Sequence, residues 1–207
     1  MALQIWLPLN GTFENYGLLG PLTQTAAPAY ADGAFGKTLT TGGCKMTASQ
    51  AASVLNNKAV TICFWVYINV ATGTKSNLNL FFGNSSMSEK NNRKFSLFNY
   101  PTVNDFHWSF QNDAATTAWC VGFLTGALPS YKWTHVAITY ENPNGAIYIN
   151  GSLKQTFTGS SASFSFAYDT TVLWNSTYMY RNDFRLYDHC LSAKEISEIA
   201  KGLICHY

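Results

Sequence analysis

The chain has 207 residues, of which 47% are hydrophobic, 15% aromatic and 12% charged. Disordered chains are rich in charge and poor in aromatic residues, so this composition predicts a folded protein with a sizeable core. The formal net charge of +2 is too small to neutralise many phosphates, which argues against a nucleic-acid partner.

The first nine residues carry no basic group before their apolar part, and we interpret them as a first strand and not as a signal peptide. The longest charge-free stretch, residues 114–131, is broken by Thr, Gly and Pro, so no membrane span is predicted. The 5 cysteines lack CxxC spacing and are odd in number, which favours free thiols over a disulfide framework. We therefore expect synthesis in a reducing cytoplasm.

Short apolar or alternating runs recur along the chain and predict strands. Residues 59–68 are apolar on both faces, which predicts a central strand, and residues 94–99, 105–111 and 133–140 predict three more. Asn150-Gly151 between two β-prone runs predicts a tight hairpin, because both central residues of a type I′ turn need a positive φ.

A single helix is predicted near the C-terminus, over residues 193–201. Ser192 and Glu195 have the spacing of a capping box. Residues 203–207 are predicted to form a final strand that pairs with the first. Many short strands and one short C-terminal helix predict a single all-β domain over residues 1–207, folded as a two-sheet antiparallel sandwich.

Three segments have a recognisable pattern: T-I-x-x-W-V in residues 61–66, W-x-H-V-A followed by Y-x-N-G in residues 133–151, and D-x-R-x-Y followed by L-S-x-x-E-I in residues 183–196. They resemble the laminin-G-like, concanavalin A-like jelly-roll family. Residues 7–17 and 32–37 resemble a subset found in structural proteins of phages and prophages. The resemblance implies a jelly roll, on which lectins, adhesion modules, hydrolases and inert decorations all occur.

Four residues of the matching segments have a structural interpretation. Trp133 is interpreted as a core anchor, and His135 as a structural histidine with a hydrogen-bonded ring. Asp183 and Arg185 lie two apart on a predicted strand, so they share a face and can pair with each other.

Catalysis is not predicted. Hydrolysis of a glycoside needs two carboxyl groups at a fixed separation, and hydrolases of this fold carry them as E-x-D-x-x-E. No such pattern occurs, nor does a Gly-x-Ser-x-Gly, P-loop or His-Glu-x-x-His motif. A glycan hydrolase stays the weaker alternative.

The family resemblance implies a metal position. Its members often hold one calcium ion through the Asp of the closing segment and oxygens of amino-terminal loops, which here are Asp183 with Asn10 or Asn15. Calcium favours several oxygen ligands with carboxylates among them, and few acids lie near these positions in the sequence. The open alternatives are a structural calcium ion and no metal at all.

Several loops combine aromatic and amide side chains, the combination with which proteins bind sugars. The aromatic ring stacks on the sugar, and planar amides bond its hydroxyls. The predicted ligand-binding residues are Trp174, Asn175, Tyr178, Tyr180 and Asn182, with Asn112, Asp113 and Trp119 in a second loop and Asn99, Tyr100 and Asn104 in a third. The alternative is that these aromatics pack under a loop or against another subunit.

The resulting hypothesis is a non-enzymatic domain on the surface of a phage virion, on its capsid or tail, made in the bacterial host cytoplasm. Its expected partners are other virion proteins and surface glycans or mucin, with no nucleic acid and no membrane. The alternative is a purely structural virion component that binds only other virion proteins or copies of itself, with residues 5–6 and 204–207 as docking surfaces. Exposure of Trp174, Tyr178 and Tyr180 around a groove favours binding, and burial favours the structural role.

Overall fold

The computed structural model describes residues 2–33, 36–56, 59–71, 78–84, 95–100, 104–111, 119–159, 169–173 and 175–202. Within these ranges the chain forms thirteen strands and two short helices. In chain order they are β1 (Leu3–Leu7), β2 (Thr23–Gly33), β3 (Gly36–Met46), α1 (Ala48–Leu55), β4 (Val60–Ile68), β5 (Leu78–Asn84), β6 (Phe95–Tyr100), β7 (Asp105–Gln111), β8 (Trp119–Leu124), β9 (Trp133–Glu141), β10 (Asn144–Ile149), β11 (Ser152–Thr158), β12 (Thr170–Leu173), β13 (Met179–Tyr187) and α2 (Ala193–Ala200). Neither helix is long and apolar enough to cross a membrane, among the residues described.

The strands form two antiparallel sheets. The first sheet has the order β1-β13-β4-β9-β10-β11, and the second has the order β2-β3-β12-β5-β6-β7-β8. The two are connected where β13 meets β3 at one residue pair, Arg181 with Leu39. Their far ends also meet, because the ring of Trp108 on β7 lies 5.6 Å from that of Phe157 on β11. The predicted two-sheet jelly-roll sandwich is confirmed.

The core lies between the sheets, and strand alternation decides which residues enter it. On β4, Phe64 and Val66 point inward and are buried, while Trp65 and Tyr67 point outward and are partly exposed. The predicted central strand is confirmed, since β4 pairs with both β9 and β13. Burial of a side chain such as Phe64 contributes about 1.5–3 kcal/mol.

The predicted hairpin and the predicted helix are both present. Asn150 and Gly151 have φ of 51° and 77° and connect β10 to β11. Ser192 and Glu195 form the capping box of α2. The buried Ile196 of α2 packs on the outer face of the first sheet, the face turned away from the core. Helix α2 therefore covers one end of that face and leaves the other end open.

One expectation about the elements needs correction, because a second helix is present. Helix α1 was not predicted, although Thr47 and Gln50 form a capping box at its start. The first strand pairs with β13, and its other edge receives hydrogen bonds from the amides of Tyr16 and Leu18. The segment expected to pair with it, residues 203–207, lies outside the described residues.

Candidate functional site

The uncovered end of the outer face carries polar and aromatic side chains on three neighbouring strands. Trp65 on β4 faces His135 on β9 and Asn182 on β13 in register. One pair further along, Tyr67 faces Trp133 and Tyr180. Trp133 therefore lies on the outer face and is partly exposed, so its interpretation as a core anchor is wrong. The period of two along β9 places it with His135, opposite to Val136.

A cleft of about 420 Å³ opens on this face beside the end of α2. We call it the tryptophan cleft. Its lining residues are Trp6, Pro8, Asn10, Trp65, Asn182, Asp183, Ala200, Lys201 and Gly202. The volume lies within the range of roughly 300–1,000 Å³ that is typical of small-molecule sites.

Asp183 is the carboxylate of the tryptophan cleft and is held in place by several contacts. Its φ of 50° is left-handed, a conformation that Asp tolerates better than most residues. Its amide donates to the carbonyl of Pro8 over 2.9 Å. Its Oδ1 accepts from Trp6 Nε1 at 2.9 Å and from Arg185 Nε at 2.8 Å, so the predicted pair with Arg185 is confirmed. Its Oδ2 accepts no hydrogen bond from a described side chain or amide.

Two amides complete the polar part of the cleft. Asn182 donates through Nδ2 to the carbonyl of Lys37 over 3.3 Å, which leaves its Oδ1 as an acceptor. The side chain of Asn10 is exposed and makes no hydrogen bond with the described residues. With Asp183 Oδ2, these groups offer hydrogen-bonding capacity to a ligand with several hydroxyls.

The two indoles of the cleft have fixed orientations. Trp6 contacts the ring of Tyr16, at 5.8 Å, and the guanidinium of Arg185, at 5.6 Å. Trp65 meets the ring of His135 edge-on at 5.3 Å. Both indoles stay partly exposed and present apolar surface to the cleft.

His135 lies behind Trp65 and is only 1% exposed. Burial lowers the pKa of its imidazole to about 4, while Asp183 opposes the shift and Arg185 adds to it. Neither ring nitrogen has a hydrogen-bond partner among the described residues. The predicted structural role agrees with this burial, and the predicted hydrogen bond to the ring stays a prediction.

An aromatic row continues the site beyond Trp65, and we define it as Tyr67, Trp133 and Tyr180. The rings of Tyr67 and Tyr180 are stacked at 5.5 Å and 10°, and Trp133 lies 5.6 Å from Tyr67 on the other side. Asn69 donates to the hydroxyl of Tyr180 over 2.9 Å. Tyr131, which is 56% exposed, extends the row with an edge contact to Tyr67.

The structure brings some of the predicted ligand-binding residues to this face. Tyr180 and Asn182 share the outer face of β13, and Tyr178, 37% exposed, precedes them. The side chain of Asn175 makes a different contact, because its Oδ1 accepts a hydrogen bond from the amide of Gly42 over 3.1 Å. Trp119 begins β8, where only its backbone is described.

The structure does not describe the side chains of the other predicted ligand-binding residues. Trp174, Asn112 and Asp113 lie outside the described residues. Asn99 and Tyr100 end β6, and only their backbone is described. They stay predictions.

The aromatic residues that sequence reasoning missed as site residues are Trp6, Trp65, Tyr67 and Trp133. The signal for three of them was present, since alternation along β4 and β9 places Trp65, Tyr67 and Trp133 on the face opposite to the apolar one. The convergence of Trp6 with Asp183 has no local signal.

The calcium prediction is not tested by the structure. Asp183 and Asn10 do line one cleft, but the guanidinium of Arg185 already neutralises the carboxylate and repels a cation. The Oδ1 of Asn15 accepts from the amides of Trp6 and Gly17 at 2.8 and 2.9 Å. Among the described residues, no group of three or more His, Cys, Asp or Glu could hold a metal ion.

The jelly roll thus carries a cleft with aromatic walls and polar groups on one outer face. The chain belongs to the concanavalin A-like lectin/glucanase superfamily, because the Laminin_G_3 family model of that superfamily matches residues 40–197. No curated protein matches the sequence.

Solved structures with the same fold include domain 4 of AbnA, a GH43 extracellular arabinanase from Geobacillus stearothermophilus, in complex with arabinotriose. Its TM-score is 0.63 at 21% identity, over 96% of this chain and 98% of that one. The binding domain of botulinum neurotoxin DC in complex with rat synaptotagmin II has a TM-score of 0.71 at 17% identity, over 98% of this chain and 52% of that one. A structure of botulinum neurotoxin type C, whose cell entry depends on interaction with two ganglioside molecules, has a TM-score of 0.70 at 16% identity. The match covers 99% of this chain and 52% of that one. The chain thus spans about half the length of the neurotoxin chains, and these likenesses establish the fold.

Proposed function

We propose that this domain is a non-enzymatic carbohydrate-binding module that holds a neutral glycan in the tryptophan cleft. The observation that carries the proposal is the pairing, in one cleft of about 420 Å³, of two partly exposed indoles with the open polar atoms of Asn10, Asn182 and Asp183. A sugar ring has an apolar face that stacks on an aromatic ring and hydroxyls that bond planar amides and carboxylates. The cleft offers both kinds of partner.

The aromatic row supports a glycan chain over a single sugar as the ligand. Tyr67 follows Trp65 by two residues along β4, and Tyr180 precedes Asn182 by two residues along the antiparallel β13. Both steps are about 6.6 Å at the rise of a β-strand. The row therefore continues the cleft across the same face. A chain of several sugar units extends over both.

The carboxyl groups of the cleft favour binding over hydrolysis. Among the described lining residues Asp183 is the one carboxylate, and it is paired with Arg185. Hydrolysis of a glycoside needs a second carboxyl group. The superfamily includes glucanases as well as lectins. Of the solved structures described above, one is a toxin binding domain and one is an arabinanase domain in complex with arabinotriose.

The biological setting of the domain is a further part of the proposal. We propose that it is displayed on the surface of a phage virion, on the capsid or tail, where it contacts other virion proteins and host glycans or mucin. The support is the resemblance of residues 7–17 and 32–37 to phage structural proteins. Antibody labelling of the assembled particle in electron microscopy, with sedimentation of the purified chain for self-association, tests this setting. Absence of the chain from particles contradicts it.

The experiment that tests the cleft is a glycan and mucin array, followed by titration calorimetry with the best neutral glycan. Trp65→Ala and Asn10→Ala are each expected to raise Kd about tenfold or more, equivalent to about 1.4 kcal/mol. Asn10 is exposed, so its variant tests the cleft without a folding defect. Phe123→Ala removes another exposed aromatic ring, 56% exposed on the second sheet, and is expected to leave Kd unchanged. Failure of the wild-type protein to bind any neutral glycan, or unchanged affinity in both cleft variants, rules out the proposed site.

A further inference from the structure

A second pocket lies at the end of the sandwich, away from the tryptophan cleft. It has a volume of about 400 Å³ and opens between the segment that joins β8 to β9 and the hairpin of β10 and β11. Leu124, Pro129 and Ile149 form apolar walls, and Lys132 and Lys154 supply two ammonium groups. We call it the lysine pocket.

The lysine pocket carries two ammonium groups, and no acid is among its described lining residues. Neither Lys132 nor Lys154 forms an ion pair or hydrogen bond with the described residues. Elsewhere the chain pairs its strand lysines, since Lys37 and Lys45 each have a carboxylate oxygen at 2.7 Å. Two unpaired cations at one concave site favour an anionic ligand.

The walls of the pocket are held by hydrogen bonds before any ligand arrives. The amide of Gly126 donates to Asp105 Oδ1 over 3.0 Å, which commits that nearby carboxylate to the backbone. Asn150 and His135 exchange two bonds, with the Asn150 amide donating to the His135 carbonyl at 2.8 Å and the His135 amide donating to Asn150 Oδ1 at 2.9 Å. A preformed site loses less conformational entropy on binding than a flexible one.

Thr134 adds a hydroxyl group to the lining of the lysine pocket. It is 2% exposed and lines the pocket, yet its hydroxyl makes no hydrogen bond with the described residues. The hydroxyl therefore keeps its hydrogen-bonding capacity for a ligand in the pocket.

We propose that the lysine pocket binds a carboxylate-bearing sugar, of the uronic or sialic acid type. The carboxylate lies between the ammonium groups of Lys132 and Lys154, and the ring contacts the apolar walls. Thr134 and the free amide nitrogen of Asn150 bond its hydroxyls. This extends the proposed function to acidic glycans at a second site and does not require the tryptophan cleft to be occupied.

The test is an NMR titration of the ¹⁵N-labelled chain with sodium glucuronate and with N-acetylneuraminate, beside glucose as the neutral match. Amide shifts are expected around Gly126 and Asn150 with at least one acid and not with glucose. The double variant Lys132→Gln/Lys154→Gln is expected to raise Kd at least tenfold and high salt to weaken binding. Lys194→Gln removes one exposed positive charge on α2 and is expected to leave Kd unchanged.

Three results overturn the proposal: no shifts with either acid, equal weakening by Lys194→Gln, or the same shifts with sodium acetate, which carries charge without a sugar ring. The two proposals fail separately. Trp65→Ala and Asn10→Ala are expected to weaken binding of neutral glycans and to leave the glucuronate titration unchanged. If neutral binding is absent from the wild-type chain while the acid still binds, the tryptophan cleft is rejected and the lysine pocket stands.

Discussion

The indole nitrogen of Trp6 donates a 2.9 Å hydrogen bond to Oδ1 of Asp183, across a separation of 177 residues. The bond joins β1 to β13 and fixes one aromatic wall of the tryptophan cleft. The same oxygen accepts from Arg185 Nε at 2.8 Å, and the guanidinium of Arg185 also faces the Trp6 ring at 5.6 Å. One carboxylate thus orients an indole and compensates a cation that is only 5% exposed.

Asp183→Asn is expected to destabilise the fold by roughly 3 kcal/mol, because Arg185 loses the charge that compensates its burial. The amide keeps an acceptor for Trp6 and tolerates the left-handed backbone at φ of 50°. Urea unfolding of the purified variant measures the loss. Asp32→Asn breaks an ion pair whose carboxylate is 90% exposed and is expected to leave the midpoint unchanged. An unchanged midpoint for Asp183→Asn contradicts this account of Arg185.

The buried imidazole of His135 makes stability depend on pH. Its pKa in the folded protein is about 4, whereas an unfolded histidine titrates near ~6.5. Between these values the unfolded chain binds a proton that the folded chain does not, so stability falls as pH falls from about 6.5 to about 4. The histidine alone is expected to contribute a loss of roughly 3 kcal/mol across this window.

His135→Phe separates this effect from the carboxylates that titrate in the same range. Because the ring nitrogens have no partner among the described residues, phenylalanine loses no hydrogen bond there and keeps the edge contact with Trp65. Urea unfolding at a series of pH values is expected to show the wild-type protein losing more stability than the variant on acidification. Parallel curves for the two proteins contradict the buried, neutral imidazole.

Local patterns predicted much of the fold. The Asn150-Gly151 turn, the capping box of α2 and the pairing of Asp183 with Arg185 each depend on residues within a few positions of one another. The same kind of signal was present for α1 in Thr47 and Gln50. Helix α1 has no charged residue, however, so its polar face contrasts less with its apolar face than that of α2, which carries Lys194, Glu195 and Glu198.

The site was harder to predict because strand order brings distant segments together. Trp6, Trp65 and Asp183 meet only because β1 and β4 flank β13, and pairing of strands remote in sequence has no local signature. Trp133 is a different case. Large aromatic residues suggest the core, but alternation with the buried Val136 places Trp133 on the outer face, and alternation prevailed.

The cap of α2 is expected to matter both to stability and to the site. Ser192→Ala removes the acceptor for the Glu195 amide at 3.3 Å and is expected to cost about 1 kcal/mol. Thr47→Ala removes the equivalent acceptor of α1 and serves as the matched variant. Because Ala200 and Lys201 border the tryptophan cleft, the α2 variant is expected to weaken glycan binding more than the α1 variant. Calorimetric titration and thermal unfolding of both variants decide this, and equal binding by the two contradicts a role for the end of α2.

The aromatic row makes a prediction about ligand length. Tyr67 is the central ring of the row, in contact with Trp133 and stacked on Tyr180. Tyr67→Ala is therefore expected to weaken binding of long oligosaccharides about tenfold while disaccharides, which fill only the cleft, lose little affinity. Titration calorimetry with a size series of the same neutral glycan measures the effect, with Trp65→Ala as the variant that weakens every length. Equal loss at all lengths would mean that Tyr67 supports the cleft and does not bind a sugar unit of its own, and affinity that does not rise with length in the wild-type protein would remove the row from the binding surface.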